Sequence, residues 1–77
     1  MTIEAIRQMH RTRPFRPFQI HMVDGRAFPV DHPERIAFFP SGRSVVVALP
    51  DETFEVIALA QIVSLRTGSA GNPAGQS

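Results

Sequence analysis

The sequence predicts a mainly β domain with one N-terminal helix, folded as a small, strongly bent, five-stranded antiparallel barrel. Three observations support this prediction. Apolar residues recur at helical spacing near the N-terminus, within the first eleven residues. The rest of the chain divides into five or so short β-prone segments joined by tight-turn sequences. The chain has 77 residues and no cysteine, so it stabilises a small core without disulfides, and closing a sheet removes its exposed edges.

The helix is predicted from Thr2, which can cap it, to about Arg11. Pro14 ends it, because the residue before a proline avoids the helical region. The helix presents a narrow apolar stripe of side chains three or four residues apart, made by Ile3, Ile6 and Met9 or His10.

The first hairpin creates the apolar face that the rest of the chain must cover, and it occupies residues 17–30. In its first strand three apolar side chains alternate with polar ones, the period of a half-buried strand: Phe18, Ile20 and Met22. Gln19 and His21 should therefore point outward. Asp24-Gly25 then follows as a turn signal, because glycine adopts a positive φ without a Cβ clash.

The register of this hairpin follows from the positions of Phe28 and Val30. A two-residue loop would place both side chains on the wrong face of the sheet. A three-residue loop, with Gly25 as a left-handed bulge residue, pairs Phe28 with Ile20 and Val30 with Phe18. We predict the bulged turn, because a slip of one residue would expose the apolar set.

The remaining strands are short and are separated by turns. A turn or a single helical turn is predicted at residues 31–35, and a brief 3₁₀ step at residues 59–61. Residues 68–77 contain no apolar anchor, so we predict one domain over residues 1–67 followed by a disordered C-terminal tail. The further strand segments are residues 36–39, 44–49, 54–58 and 62–66.

Two segments place apolar side chains on both faces of the sheet. Adjacent strand residues face opposite sides, so one of Phe38 and Phe39 should enter the core while the other is exposed or covered by a partner. The three consecutive valines at residues 45–47 likewise place apolar side chains on both faces of their strand. Two explanations stay open: the N-terminal helix covers the second face, or copies of the chain associate, which would also add burial to so short a chain.

Charge is distributed unevenly along the chain. The net charge is only +1, all eight basic residues are arginine, and residues 1–16 hold four arginines against one glutamate. This asymmetry favours an anionic ligand or an acidic neighbour near the N-terminus, with phosphate contacts from arginine and base stacking on an aromatic ring. The other interpretation is a solvated helix face, with Phe15 covering one end of the barrel. The candidate residues for binding nucleic acid or a partner are Arg7, Arg11, Arg13, Phe15, Arg16, His32, Arg35 and Arg43.

The residue inventory does not favour catalysis. There is no cysteine, no glycine-rich phosphate loop, and no serine, histidine and acid in a nucleophile context. Asp31, His32 and Glu34 match no strong metal motif, and a turn is the simpler interpretation. We therefore predict a non-enzyme without cofactor, metal or small-molecule substrate. Neither a signal peptide nor a membrane-spanning stretch is found, so we predict a cytoplasmic protein that does not bind membranes.

The chain resembles a family of small bacterial proteins that brings no known activity with it. The resemblance covers residues 1 to about 66. It is carried by the P-F-x-P-F pattern within Arg13-Pro14-Phe15-Arg16-Pro17-Phe18, then by Asp24-Gly25-Arg26 and His32-Pro33-Glu34.

More broadly, the organisation resembles the Sm-like and SH3-like small barrels. The similar features are the short helix, the strand followed by Asp-Gly-Arg, and the closing segment at residues 60–65. Sm-like proteins form rings and bind RNA at loops between strands, so the resemblance implies self-association and RNA as a partner. The chain departs from that pattern: it lacks the Asp-x-x-x-Asn signature after the second strand and the Arg-Gly step before the last strand.

Taken with the charge and the two-faced strands, these features predict a non-catalytic small-barrel interaction module that forms homo-oligomers. The alternative is an Sm-like RNA-binding protein that uses the Arg-rich N-terminal segment.

Overall fold

In the computed structural model, which describes residues 1–67, the chain forms one helix and six strands. Single turns of 3₁₀ helix precede the third and the last strand, at Pro33–Arg35 and Leu59–Gln61. The predicted disordered tail, residues 68–77, lies outside the described residues. The elements are α1 (Ile3–Arg11), β1 (Phe18–Met22), β2 (Ala27–Val30), β3 (Ile36–Phe38), β4 (Ser44–Ala48), β5 (Phe54–Ala58) and β6 (Ile62–Thr67).

The strands form two antiparallel three-stranded sheets. The first sheet has the order β2-β1-β6 and the second sheet has the order β3-β4-β5. The mainly β class with one helix is confirmed, but the described strands number six, and no ladder joins the two sheets into a closed barrel within residues 1–67. The physical reason lies in the connections: each 3₁₀ turn carries the chain from one sheet to the other, so β2 does not pair with β3.

The hairpin of β1 and β2 has the predicted register. Ile20 lies opposite Phe28, and Phe18 lies opposite Val30. All four side chains are buried. The period-2 argument from the sequence therefore identified the inner face of the first sheet.

The turn of this hairpin is the predicted three-residue loop. The amide of Met22 donates to the carbonyl oxygen of Arg26 at 2.8 Å, which closes the loop around residues 23–25. Gly25 has a φ of +93°, a value that residues with a Cβ rarely adopt. The backbone amide of Arg26 donates to the Asp24 carboxylate, and this hydrogen bond holds the pKa of Asp24 below its ordinary value.

The polar residues of β1 lie on the opposite face of the first sheet, as predicted. Gln19 and His21 are half-buried there and alternate with the buried apolar residues. His21 is flanked by Ala27 on β2 and by Ser64 on β6. Its Nε2 atom is buried and has no hydrogen-bond partner among the described residues, so His21 is less exposed than a surface histidine.

A single hydrophobic core joins α1 to both sheets. Ile6 is fully buried, and Ile3 and Met9 pack against the same cluster, as the apolar stripe predicts. Thr2 occupies the N-cap position, but its side chain makes no capping hydrogen bond. No helix within residues 1–67 is long and apolar enough to cross a membrane. The buried core consists of Ile6, Phe18, Ile20, Met22, Phe28, Val30, Ile36, Val45, Val47, Ile57, Leu59 and Ile62.

The turn between β4 and β5 repeats the geometry of the first hairpin. The amide of Leu49 donates to Thr53 O at 2.8 Å, and the amide of Glu52 donates to Leu49 O at 2.9 Å. Glu52 therefore occupies the position that Gly25 fills in the first hairpin, and its φ is +69°. A residue with a Cβ is strained at this φ.

We expect Ile20→Asp to unfold the domain, because it buries an unpaired charge at a site with 0% exposure. The penalty is comparable to the ~5 kcal/mol that stabilises many small domains. Circular dichroism should show the loss of the cooperative thermal transition. Val23→Asp is the matched control, because Val23 is 64% exposed in the adjacent loop and this variant should melt like the wild type. A folded Ile20→Asp variant would contradict the register.

We expect Glu52→Gly to stabilise the domain by about 1 kcal/mol, because glycine removes the strain at positive φ. Gly25→Ala should destabilise it by a similar amount, since the added Cβ meets no neighbouring atom and only the backbone conformation is penalised. Chemical denaturation of the two variants measures both effects. The two changes in the free energy of unfolding should have opposite signs. Changes of the same sign would mean that the two turns do not share this backbone geometry in solution.

Candidate functional site

The second sheet covers the core with only one of its faces. Four of its side chains are buried on that face: Ile36, Val45, Val47 and Ile57. The opposite face, called the outer face below, contains seven apolar residues, one serine and no charged residue. It is formed by Ala37, Phe39, Ser44, Val46, Ala48, Phe54, Val56 and Ala58.

Strand pairing arranges the outer face in three parallel rows. The Phe54 row pairs Phe54 with Ala48 at one end of the sheet. The middle row holds the two valines of the face and Ala37. The Phe39 row lies at the other end, because the amide of Phe39 donates to Ser44 O at 3.1 Å and Ser44 pairs with Ala58. Thus the Phe54 row is Ala48 and Phe54; the middle row is Ala37, Val46 and Val56; and the Phe39 row is Phe39, Ser44 and Ala58.

The outer face is not covered by the helix. Phe54 is 72% exposed, Val56 is 63% exposed and Phe39 is 39% exposed. The helix instead contacts Phe38, which packs against the core and lies opposite the buried Val45. Of the two explanations that the sequence left open, coverage of the second face by α1 is therefore excluded for the described residues.

A cavity of about 400 Å³ opens at the Phe39 end of the outer face. It lies between the start of α1 and the second sheet, and its lining includes Ile3, Ser44, Ala58 and Leu59. Ser44 and Ala58 belong to the Phe39 row, so the cavity continues the apolar surface of the outer face.

Charged residues border both ends of the outer face, with a net negative charge at the Phe54 end, where Arg35 also reaches Leu49 O, and a positive charge at the Phe39 end. Asp51 and Glu52 lie in the exposed turn that follows the Phe54 row. The hydroxyl and the amide of Thr53 donate to the Asp51 carboxylate at 2.6 and 3.1 Å, and these bonds lower the pKa of Asp51. Arg43 lies in the turn before the Phe39 row and is exposed.

Of the four N-terminal arginines predicted to bind nucleic acid, Arg7 and Arg13 make contacts within the domain, while Arg11, Arg13 and Arg16 are exposed. The guanidinium of Arg7 lies 4.7 Å from the centroid of the Phe38 ring, a cation–π contact. Arg13 donates to the carbonyl oxygens of His10 and Thr12 at 2.8 and 3.0 Å. Arg11 is exposed and stands 4.0 Å from a carboxylate oxygen of Glu4.

Phe15 is less available for base stacking than the sequence predicts. It is half-buried, packs against the core, and its ring centroid lies 6.1 Å from that of Phe18. This agrees with the other interpretation, in which Phe15 covers one end of the core. Arg16 beside it is exposed.

The remaining predicted binding residues lie at the first 3₁₀ turn and in the turn before β4. Arg35 is half-buried and donates to Leu49 O at 3.4 Å. His32 is exposed before the 3₁₀ turn whose Pro33 O lies 2.9 Å from the ring of His10. Arg43 lies beside the cavity at the start of α1, whereas Arg11 and Arg13 lie at the other end of this helix, ~13 Å away.

The residues that the sequence interpretation missed are Phe54 and Val56. The alternation in β5 is weak, because the inner Ile57 and the outer Phe54, Val56 and Ala58 are all apolar. The sequence nevertheless contained a signal for this face. Apolar residues at every second position predict a strand with one apolar face, whereas apolar residues at consecutive positions predict a strand that is apolar on both faces.

No group of three or more histidine, cysteine, aspartate and glutamate side chains within residues 1–67 is placed to hold a metal ion. Comparison with protein-family models, with curated proteins and with solved structures gives no match. Within residues 1–67, the outer face combines exposed phenylalanine and valine side chains with an adjoining cavity.

We expect Arg7→Ala to destabilise the domain by about 1 kcal/mol more than Arg11→Ala. Both changes lie in α1 and share the same helix-propensity effect, but only Arg7 covers the Phe38 ring, and exposed ion pairs such as that of Arg11 contribute little. Chemical denaturation gives the two values. In a Phe38→Leu background the difference should vanish; a difference that persists would contradict the cation–π contact.

Proposed function

We propose that this protein is a non-catalytic interaction module that associates with copies of itself through the outer face of the second sheet. The observation that carries the proposal is the exposure of Phe54 and Val56 on a face without charged residues. An apolar patch rimmed by charged residues is typical of a protein interaction site.

The small size of the domain supports the same proposal. Its core consists of twelve buried hydrophobic residues, while Phe39, Phe54 and Val56 stay exposed on one sheet. Burying the exposed area of an aromatic or branched side chain contributes ~1.5–3 kcal/mol per side chain. Association through the outer face would therefore add stabilisation that a core of this size lacks.

The alternative function, RNA binding by the Arg-rich segment, has less support. Arg7, Arg13 and Phe15 make contacts within the domain, and Arg43 lies at the far end of α1 from Arg11. A basic groove with free aromatic rings is what single-stranded RNA requires. The two functions differ in their dependence on salt, since RNA affinity falls steeply with salt whereas apolar association does not.

We expect Val56→Glu to abolish self-association without unfolding the domain, because it places a charge in the centre of an exposed apolar face. Sedimentation velocity should show the wild type as dimers or larger assemblies in the micromolar range and the variant as a monomer with the same circular dichroism. Val63→Glu is the matched control, since Val63 is 60% exposed on β6 of the first sheet and should leave assembly unchanged.

A wild-type chain that sediments as a monomer throughout the micromolar range would refute the proposed function. Fluorescence anisotropy with a short labelled RNA at low salt tests the alternative on the same samples. We expect no binding; binding that weakens steeply with added salt would favour the RNA-binding function instead.

A further inference from the structure

We infer that two copies of this chain pack their outer faces against each other, about a two-fold axis that runs along the middle row. The inference rests on the proposed function and specifies its geometry. An axis in this position reverses the strand direction of one sheet relative to the other. It places β5 over β5 and β4 over β4, and it lays the Phe54 row of each copy over the Phe39 row of the other.

The rows are complementary in size under this operation. Phe54, the most exposed large side chain of the face, comes to lie over Ala58 of the second copy. Val46 and Val56 meet their own counterparts at the axis. Phe54 therefore faces a small side chain and the two valines face each other, as interdigitating sheet faces require. Phe39 comes to lie over the β3 end of the Phe54 row, where Arg35 precedes the strand. An interface that contacts itself in this way closes as a dimer.

The cavity provides room for the largest of these side chains. It lies beside Ala58 and Ser44, at the end of the face that receives the partner's phenylalanine, and its volume of about 400 Å³ exceeds that of a phenylalanine ring. Phe54 lies two residues from Val56 on one side, and Ala58 lies two residues from it on the other side. Phe54 and Ala58, which lines the cavity, are therefore at equal distances along the strand from the axis, so each copy presents its ring to the Ala58 side of the other copy's cavity.

The charges at the rim agree with the same arrangement. Reversal about the middle row brings the turn that carries Asp51 and Glu52 toward the Arg43 end of the second copy. The net negative charge of the Phe54 end, where Arg35 offsets one of the two acids, then faces Arg43 at both ends of the interface, whereas a parallel arrangement of the two sheets would place like net charges together.

Other ways to cover the outer face fit less well. Residues 68–77 contain no aromatic or branched aliphatic residue, so they cannot match a surface that exposes two phenylalanines. Pairing β5 with β5 of another copy edge to edge would extend the sheet but leave Phe54 and Val56 exposed. The face is roughly 15 Å on each side by strand spacing, which is small for a protein interface, so we expect the monomer–dimer equilibrium to fall within the micromolar range, where sedimentation velocity detects the dimer.

Single-cysteine variants test the geometry cleanly, because the native chain has no cysteine. Sheets packed face to face are about 10 Å apart, so the Cα atoms of position 56 in the two copies are too distant for a disulfide but within reach of a short bismaleimide. We therefore expect Val56→Cys to give a covalent dimer with bismaleimidoethane and not under mild oxidation. Val63→Cys on the first sheet is the control and should give no cross-linked dimer.

A mixed experiment tests the direction of the strands. Reversal places Ala48 of one copy over Ser44 of the other, while two copies of the same position are ~13 Å apart along the strand. We expect Ala48→Cys and Ser44→Cys to cross-link efficiently with bismaleimidoethane when the two variants are mixed. Each variant alone should cross-link at least tenfold less.

The outcomes separate this arrangement from the proposed function. Equal cross-linking of Ala48→Cys alone would indicate parallel sheets, which overturns the two-fold arrangement while self-association through the outer face stands. A spontaneous disulfide in Val56→Cys would indicate edge pairing, which leaves the outer face exposed and therefore overturns both proposals. An assembling chain in which Val56→Cys does not cross-link also overturns the two-fold arrangement, and Val56→Glu then decides whether the outer face is the interface. A wild-type chain that sediments as a monomer would refute both the two-fold arrangement and the proposed function.

Discussion

The structure depends on one constraint: two sheets and one short helix share a single core, so each sheet can bury only one face. The inner faces and Ile6 of α1 fill the space between the sheets. The helix lies at the side of Phe38, where Arg7 and His10 contact the ring, and no described element remains to cover the second sheet from outside. The outer face is thus exposed because residues 1–67 form no further element that could cover it. The candidate function follows from this exposed face.

Local features of the fold were predictable from the sequence, because they depend on residues close together in the chain. The register of β1 and β2 followed from two facts, the alternation through Ile20 and the need of Gly25 for a positive φ. The helix ended where predicted for the same local reasons. Non-local features were harder. The separation into two sheets depends on the 3₁₀ turns at Pro33–Arg35 and Leu59–Gln61. These turns change the direction of the chain, and no periodic pattern in the sequence predicts that change.

The candidate site was predictable only in part. Phe38-Phe39 and residues 45–47 indicated that a second apolar face exists, but they could not show that α1 leaves it uncovered, since that depends on tertiary packing. The contacts of the arginines were not predictable for a related reason. Composition gives the number of charged residues but not the groups that they contact. It could not reveal that Arg7 lies over the Phe38 ring or that Arg13 donates to the carbonyl oxygen of His10 at the end of α1. The packing of Phe15 against the core was likewise not readable from the sequence.

The pairing of β6 with β1 has a consequence for how the domain is synthesised. Both three-residue hairpins are local and can form as soon as their residues are available, whereas Phe18 must wait for Thr67 before the first sheet is complete. Until the last strand emerges, β1 presents an open row of backbone donors and acceptors. Nascent chains that stop short of residue 62 should therefore be the species most prone to aggregation, because β6 is the strand that completes the first sheet.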